Sequence, residues 1–339
     1  MALTKVSRGL LGGSSTKNLL INGAMTIAQR GSSATLVSGN FSPDRFILQH
    51  ANLDNWAGTM AQVADAPNGF ASSLKVTTTT PESAVAADEY GYVAQKIEAQ
   101  NLQHLNFGSS AALSLTLSFW VKSSVTGTFG GNLHTPDNAG LANATYTISS
   151  ANTWEYKTIT YTGDTARAIT NDVGIGMYVS WHLVAGTSFT SGGSTSNGWA
   201  AYHDNKWSGG HAQNGVVTTD NATWQITGAQ LEVGSVDTDF QHRSYGEELA
   251  LCQRYFYIAF IGHRFFTTSA SQYIRPYLFF PTTMRATPTL TPIVSVSQSI
   301  SYSGSNNQAH TRSFGIDLRA TGISDSAYWY ANLYFDAEL

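Results

Sequence analysis

The residues best suited to chemistry lie in one long polar segment that runs from Gly186 to Gly215. The segment is poor in aliphatic residues and rich in glycine and serine, yet it contains two tryptophans, a tyrosine and two histidines. A loop of this length is uncommon in a compact domain and often has a function. Aromatic rings pack against the apolar faces of sugars, while amides and carboxylates bond to sugar hydroxyls. We therefore predict a glycan-binding site formed by Trp199, Tyr202, Asp204, Asn205 and Trp207.

The same aromatic residues have a structural interpretation, which the sequence leaves open. Trp199 and Trp207 could instead pin the segment to the neighbouring strands or pack against another subunit. A binding role and a packing role both require aromatic residues in this segment. The sequence alone does not separate them.

A metal site in this segment is not predicted. His203, Asp204 and His211 lie within nine residues, but their spacing matches no metal motif and no cysteine partner is near. A calcium site made of oxygen ligands, for instance Asp237 or Asp239, would leave no readable pattern. The sequence predicts no cofactor.

The chain is also not predicted to be an enzyme. It has only 22 acidic residues, and no pair stands out as the two carboxylates that glycoside hydrolysis requires. It contains no nucleophile elbow, P-loop, dinucleotide fingerprint or H-E-x-x-H helix. Because two carboxylates can come from distant strands, polysaccharide depolymerisation stays a less favoured alternative. The single cysteine, Cys252, lies in an apolar stretch and is predicted to be a small buried side chain.

The composition indicates which partners to expect. Charged residues make up 12% of the chain and the formal net charge is −4, so nucleic acid is not an expected partner. The sequence has no apolar run of about 18 residues and no signal-peptide pattern. We expect a soluble protein made in a cytoplasm, without membrane insertion.

The elements that must position these residues are predicted to be β-strands. The clearest strand is Ala111–Lys122, in which Leu113, Leu115, Leu117, Phe119 and Val121 alternate with polar residues. Many short strands follow one another with turn clusters between them and no βαβ alternation. The predicted fold is all-β: an antiparallel β-sandwich of the jelly-roll, carbohydrate-binding-module type over residues 18–243.

Two parts of the sandwich are harder to interpret. Leu19-Leu20-Ile21 reads as a strand-like run before a turn at Asn22-Gly23. Tyr90–Gln103 permits either a helix or a strand that leads into a loop.

The sandwich is expected to end within the stretch from Trp224 to Tyr255. Apolar and polar residues alternate in its first half, as in a β-strand, and Gly234-Ser235 ends this strand. A short helix is predicted over Glu247–Phe256. A smaller β-rich domain, residues 244–339, is then predicted to contain the strands Tyr273–Phe280, Thr289–Ser297, Ser313–Leu318 and Ala327–Asp336.

Several phrases spread along the chain resemble one class of proteins. They are KNLLINGAMTIAQRG at Lys17–Gly31, SFWVKSS at Ser118–Ser124, ITGAQLEVGSVDTDFQHRSYGEELALCQRYF at Ile226–Phe256 and FPTTMRATPTLT at Phe280–Thr291. In these phrases the chain resembles tail-fibre and other receptor-binding structural proteins of marine bacteriophages and cyanophages. The phrases identify the family but contain no site of known chemistry.

The resemblance implies a component of the virion tail that attaches to a host cell-surface glycan. It also implies a homotrimer, which would cover the aromatic residues on both faces of Ala327–Asp336. Residues 1–17 would then be an adaptor segment that docks onto other tail proteins. The polar loop Ser301–His310 is a second candidate for host contact. The alternative within the same class is a purely structural part of the virion, such as a head decoration or a tail connector.

Overall fold

The computed structural model of the chain describes residues 18–211, 214–302 and 307–339. Almost all of its regular structure is antiparallel β, which confirms the all-β prediction. The predicted adaptor, residues 1–17, and the centre of the Ser301–His310 loop lie outside the described residues. Within the described ranges, no helix is both long and apolar enough to cross a membrane.

The larger β region is a sandwich of two six-stranded sheets. Its strands within the described residues are β1 (Ser33–Thr35), β2 (Ile47–Ala51), β3 (Ala57–Val63), β4 (Ser73–Thr80), β5 (Tyr90–Glu98), β6 (Leu115–Ser123), β7 (Gly127–Thr135), β8 (Gly140–Ile148), β9 (Glu155–Tyr161), β10 (Ile175–Ala185), β11 (Ala200–Ala201) and β12 (Thr223–Val233). Sheet 1 has the order β1-β3-β4-β12-β6-β9, and sheet 2 has the order β11-β8-β7-β10-β5-β2. All neighbouring strands are antiparallel. This is the predicted jelly-roll sandwich.

Alternation along the strands builds the core between the two sheets. Leu117 and Phe119 of β6 point inward, and the Phe119 ring meets Trp181 of β10 edge-on at 5.8 Å between centroids. Burial of each such side chain contributes roughly 1.5–3 kcal/mol to folding. The predicted strand starts later than expected, because β6 begins at Leu115 and Leu113 is 36% exposed.

The strand-like run Leu19–Ile21 is not a strand. Leu20 is buried in the core, but the backbone of this segment bonds mainly to side chains instead of to a sheet. The Gln95 side chain accepts from Ile21 N and donates to Ile21 O, both at 2.7 Å. The predicted turn is present, with Asn22 at a φ of 60°.

Short helical turns connect the strands. Within the described residues they are the 3-10 turns Ala99–Leu105, Pro136–Asn138, Thr187–Phe189 and Asp204–Lys206, and the helix α1 (Gly215–Thr218). The ambiguous stretch Tyr90–Gln103 is thus strand β5 followed by a 3-10 turn.

The linking helix α2 spans Tyr245–Gln253, which is shorter at its end than the predicted Glu247–Phe256. Ser244 caps it: the Ser244 hydroxyl accepts from Glu247 N, and the Glu247 carboxylate accepts from Ser244 N. Phe256 instead starts a strand. Cys252 is fully buried and burial raises its thiol pKa, as expected for an inert small side chain.

The C-terminal β region has its own core. Its strands within the described residues are β13 (Phe256–Thr267), β14 (Tyr273–Ile274), β15 (Tyr277–Phe279), β16 (Thr289–Gln298), β17 (Ile300–Tyr302), β18 (Gln308–Ala309), β19 (Ser313–Gly315), β20 (Leu318–Ala320) and β21 (Ser324–Asp336). They form three three-stranded sheets in the orders β13-β21-β16, β14-β20-β17 and β15-β19-β18.

Two of the strands predicted here are interrupted in the structure. Tyr273–Phe280 divides into β14 and β15 around Pro276, which has no N–H to donate to a ladder. Ser313–Leu318 divides into β19 and β20. Between these strands the buried Asp317 carboxylate pairs with Arg275 at 3.0 Å.

A charged cluster joins the sandwich to the C-terminal region. The fully buried Glu98 carboxylate accepts from Arg254 Nε and Nη2, both at 2.8 Å, and from the Tyr255 hydroxyl at 2.5 Å. Burial acts to raise the pKa of Glu98, but the hydrogen bonds from Arg254 and Tyr255 outweigh it and lower the pKa below its ordinary value. Beside this carboxylate, Arg45 stacks on the Tyr255 ring at 3.4 Å and pairs with Glu338.

Candidate functional site

The segment between β10 and α1 folds onto the outer face of sheet 2. Asn143 of β8 holds it in place: its Oδ1 accepts from Thr195 N at 2.8 Å and its Nδ2 donates to Lys206 O at 2.5 Å. From β7, Asn132 Nδ2 donates to Trp207 O at 3.0 Å. The described part of the segment, up to residue 211, therefore covers this face of the sheet.

An aromatic pocket of about 380 Å³ lies where this cover meets sheet 2. Strands β5, β7 and β10 provide its floor, because their alternate residues point away from the sandwich core. The lining residues are Tyr90, Tyr92, His134, Pro136, Tyr178, Phe189, Tyr202, Asp204 and Trp207.

The rings hold one another at defined angles. Tyr90 stacks beside Tyr92 with centroids 5.9 Å apart, and the edge of Phe189 meets Tyr90 at 5.0 Å. Tyr202 stacks on His134 at 4.7 Å and meets Trp207 edge-on at 5.8 Å. Such contacts fix the orientation of the rings before any ligand binds.

The polar atoms of the pocket are mostly uncharged. Burial raises the hydroxyl pKa of Tyr92, Tyr178 and Tyr202, so these groups stay protonated at neutral pH. Burial lowers the pKa of His134 to about 4, so its imidazole is neutral. The Tyr202 hydroxyl donates to Asp204 Oδ1 at 2.6 Å.

Three of the five residues predicted for glycan contact meet in this pocket: Tyr202, Asp204 and Trp207. Trp207 is only 7% exposed, and its indole stacks on the buried His182 ring at 5.4 Å. It thus anchors the cover as well as lining the pocket.

The other two predicted residues lie outside the pocket lining. Trp199 donates its indole N–H to Thr162 O at 2.7 Å and meets Phe107 edge-on at 5.2 Å, so it pins the segment to the sandwich. Asn205 is exposed, and its carbonyl accepts from Gly192 N at 2.7 Å.

The sequence interpretation missed the floor of the pocket. Tyr90 and Tyr92 stand two residues apart in β5, and Tyr178 alternates with the core residues Met177 and Val179 in β10. The pattern that could have predicted the floor was the set of outward-facing aromatic residues on strands that are neighbours in the sheet. That pattern could be recognised only once the strand order of sheet 2 was known.

The arrangement of His203, Asp204 and His211 considered from the sequence does not form a metal site in the described residues. No group of three or more His, Cys, Asp or Glu side chains there is placed to hold a metal ion. His203 and His211 are exposed, and Asp237 Oδ2 accepts from the Tyr156 hydroxyl at 3.0 Å.

Comparison with known proteins gives only distant structural likenesses. No protein-family model matches the sequence, and no curated protein matches it significantly. Tailspike protein 4 of bacteriophage CBA120, in its enzymatically active domain, is 14% identical with a TM-score of 0.36; the match covers 64% of this chain and 21% of that chain. The chain therefore spans about a fifth of the tailspike it matches.

Two further likenesses cover whole sugar-binding domains. A sugar-binding protein from Bacteroides thetaiotaomicron is 9% identical with a TM-score of 0.36, over 64% of this chain and 100% of that one. A family 11 carbohydrate-binding module from Clostridium thermocellum, in complex with a mixed-linked tetrasaccharide, is 9% identical with a TM-score of 0.29, over 61% of this chain and 99% of that one.

Proposed function

We propose that this protein binds a glycan in the aromatic pocket without altering it, as a host-attachment component of a phage tail. The observation that supports this most is the pocket itself. It offers preoriented rings for the apolar faces of a sugar, with tyrosine hydroxyls and a carboxylate at hydrogen-bonding positions beside them. The tail location and the host-attachment role rest on the phage-like phrases in the sequence.

The lining of the pocket favours binding over hydrolysis. Glycoside hydrolysis uses two carboxyl groups on opposite sides of the scissile bond. Among the described residues that line the pocket, Asp204 is the only carboxylate. A release assay should therefore show no new reducing or unsaturated ends when the protein is incubated with a polysaccharide that it binds.

The proposal is tested with a glycan array, followed by calorimetry on the glycan that binds best. Tyr202→Ala and Phe189→Ala remove rings from the covering segment and should each weaken binding at least about tenfold, equivalent to about 1.4 kcal/mol. Tyr156→Ala is the matched control, because Tyr156 is 42% exposed and lies on sheet 1. No saturable binding to any glycan, or equal losses in all three variants, would contradict the proposal.

Self-association is the second part of the proposal, and the C-terminal region supplies the observation that favours it. On the solvent side of the β13-β21-β16 sheet, Phe260 is 69% exposed and stacks on Tyr330, and Phe266 is 77% exposed. Large apolar side chains left exposed along one face of a sheet favour an interface. We propose that they contact other copies of the chain in a homotrimer.

The homotrimer has its own test. Light scattering on the purified protein should give three times the chain mass, and Phe260→Ser with Phe266→Ser should reduce it to one chain while glycan binding survives. A monomer at all concentrations would refute the trimer. Electron microscopy that places the chain on the capsid lattice would replace the tail role with head decoration.

A further inference from the structure

The lining of the aromatic pocket has a pronounced charge asymmetry. Its nine described lining residues include one carboxylate, Asp204, and neither lysine nor arginine. Burial keeps the Tyr92, Tyr178 and Tyr202 hydroxyls and the His134 ring uncharged at neutral pH. The pocket therefore carries a single negative charge.

That charge is fixed in position. Asp204 Oδ1 accepts from the Tyr202 hydroxyl at 2.6 Å, and the Asp204 carbonyl accepts from Trp207 N at 3.0 Å. The Tyr202 ring is in turn held between His134 and Trp207. Asp204 remains exposed at the pocket mouth, where a ligand can reach it.

The aromatic rings reinforce the sign of that charge. The face of an aromatic ring is negative because of its quadrupole, and it attracts cations placed over it. A positively charged group of a ligand would meet both the carboxylate and the faces of Tyr or Trp rings. A negatively charged group would lose its hydration beside the Asp204 carboxylate and the negative faces of the rings.

Lys96, the lysine on the floor strands, already has a hydrogen-bond partner outside the pocket. Lys96 lies directly opposite Tyr178 in the ladder between β5 and β10, with its Nζ 5.5 Å from the Tyr178 ring centroid. Its ammonium donates to Leu339 O at 2.5 Å. Lys96 is not among the lining residues and does not provide a counter-ion inside the pocket.

We propose that the pocket selects sugars by charge: it prefers an amine-bearing sugar residue, accepts a neutral one, and discriminates against one that carries a carboxylate. Asp204 is the residue that sets this order, and Tyr202 is the positioning residue that holds it. This inference rests on the proposed glycan-binding function.

The test uses three chemical forms of one oligosaccharide. The skeleton is the neutral one that binds best in the array, compared with its 2-amino-2-deoxy form and its 6-carboxylate form. At about pH 6, where the sugar amine is protonated, the amine form should bind about fivefold more tightly than the neutral form. The carboxylate form should bind several-fold more weakly. Added salt should reduce the differences in affinity among the three forms, because salt screens charges at the exposed pocket mouth.

Variants assign the effect to one side chain. Asp204→Asn keeps the shape of the side chain and should reduce the ratio of amine-form to neutral-form affinity to about onefold, whatever it does to the affinity for the neutral form itself. Tyr202→Phe, which removes the hydroxyl that holds Asp204, should reduce the amine preference in part. Asp220→Asn is the control, because Asp220 is exposed and bonds only to the neighbouring Asn221 in the described structure.

The outcomes separate the two proposals. If the neutral skeleton binds but the three forms bind equally, or if the carboxylate form binds best, the charge selection is wrong and glycan binding stands. Charge selection by Asp204 is also wrong if Asp204→Asn leaves the order unchanged. If no glycan in the array binds, the proposed function fails and this inference fails with it.

Discussion

Acidification between about pH 6.5 and 5 should destabilise this protein, because two histidines at the aromatic pocket are buried in their neutral form. Burial lowers the pKa of His182 to about 3 and that of His134 to about 4, from an ordinary value of 6.5. The unfolded chain therefore takes up protons below pH 6.5 that the folded chain does not bind. The free energy of unfolding must fall as the pH falls through this range, and it is unaffected by these groups above it.

The size of the loss in unfolding free energy follows from the width of the pH range in which the histidines are protonated only in the unfolded chain. Well below pH 6.5 each such histidine contributes a loss of about 1.4 kcal/mol per pH unit, so going from pH 6.5 to about 5 costs about 1.6 kcal/mol each and about 3 kcal/mol together. His50, whose pKa burial also lowers, adds in the same direction. Since a domain has only about 5–15 kcal/mol of stability, the loss should be plain in urea unfolding followed by tryptophan fluorescence.

Substitutions make the test specific. His182→Gln should lower stability at neutral pH, through lost stacking on Trp207, but should make the dependence on pH shallower by about 1.4 kcal/mol per unit. His203→Gln, at an exposed position in the covering segment, serves as the control. An unfolding free energy that is constant between pH 6.5 and 5, or an unchanged slope in His182→Gln, would refute the reasoning.

Three further predictions concern stability and share one urea-unfolding assay. Leu117→Ala, at a core position with 1% exposure, should cost about 2–5 kcal/mol, and a loss below 1 kcal/mol would mean that the two sheets do not pack as described. Ser244→Ala removes the cap of α2 and should cost about 1 kcal/mol, whereas no change would argue against the capping box. Glu98→Ala leaves Arg254 without its carboxylate and should cost roughly 3 kcal/mol; a loss no larger than that of the exposed control Asp88→Ala would contradict the role of this ion pair.

The sheet strands were largely predictable because burial imposes a period of two on them. Strand β6 shows this directly: Leu115, Leu117, Phe119 and Val121 all face the core. The run at Leu19–Ile21 has a similar apolar composition but is held by the Gln95 side chain, a contact 74 residues away. No local pattern could reveal that partner.

The candidate site was predictable only on its covering side. Tyr202, Asp204 and Trp207 stood out because aromatic and acidic residues are unusual in a segment rich in glycine and serine. Tyr92 and Tyr178 did not stand out, because a tyrosine in a strand is ordinary. Only the adjacency of β5 and β10 brings them together on one face.

The charged cluster around Glu98 has a mechanical consequence. Force applied to a ligand bound in the pocket would load strands β5 and β10, and β5 ends at the carboxylate that bonds to Arg254 and Tyr255. Tension at the pocket would thus pass into the C-terminal sheets through side-chain ion pairs as well as along the single backbone connection. The force needed to separate the two regions in a pulling experiment should therefore drop when those ionic contacts are removed.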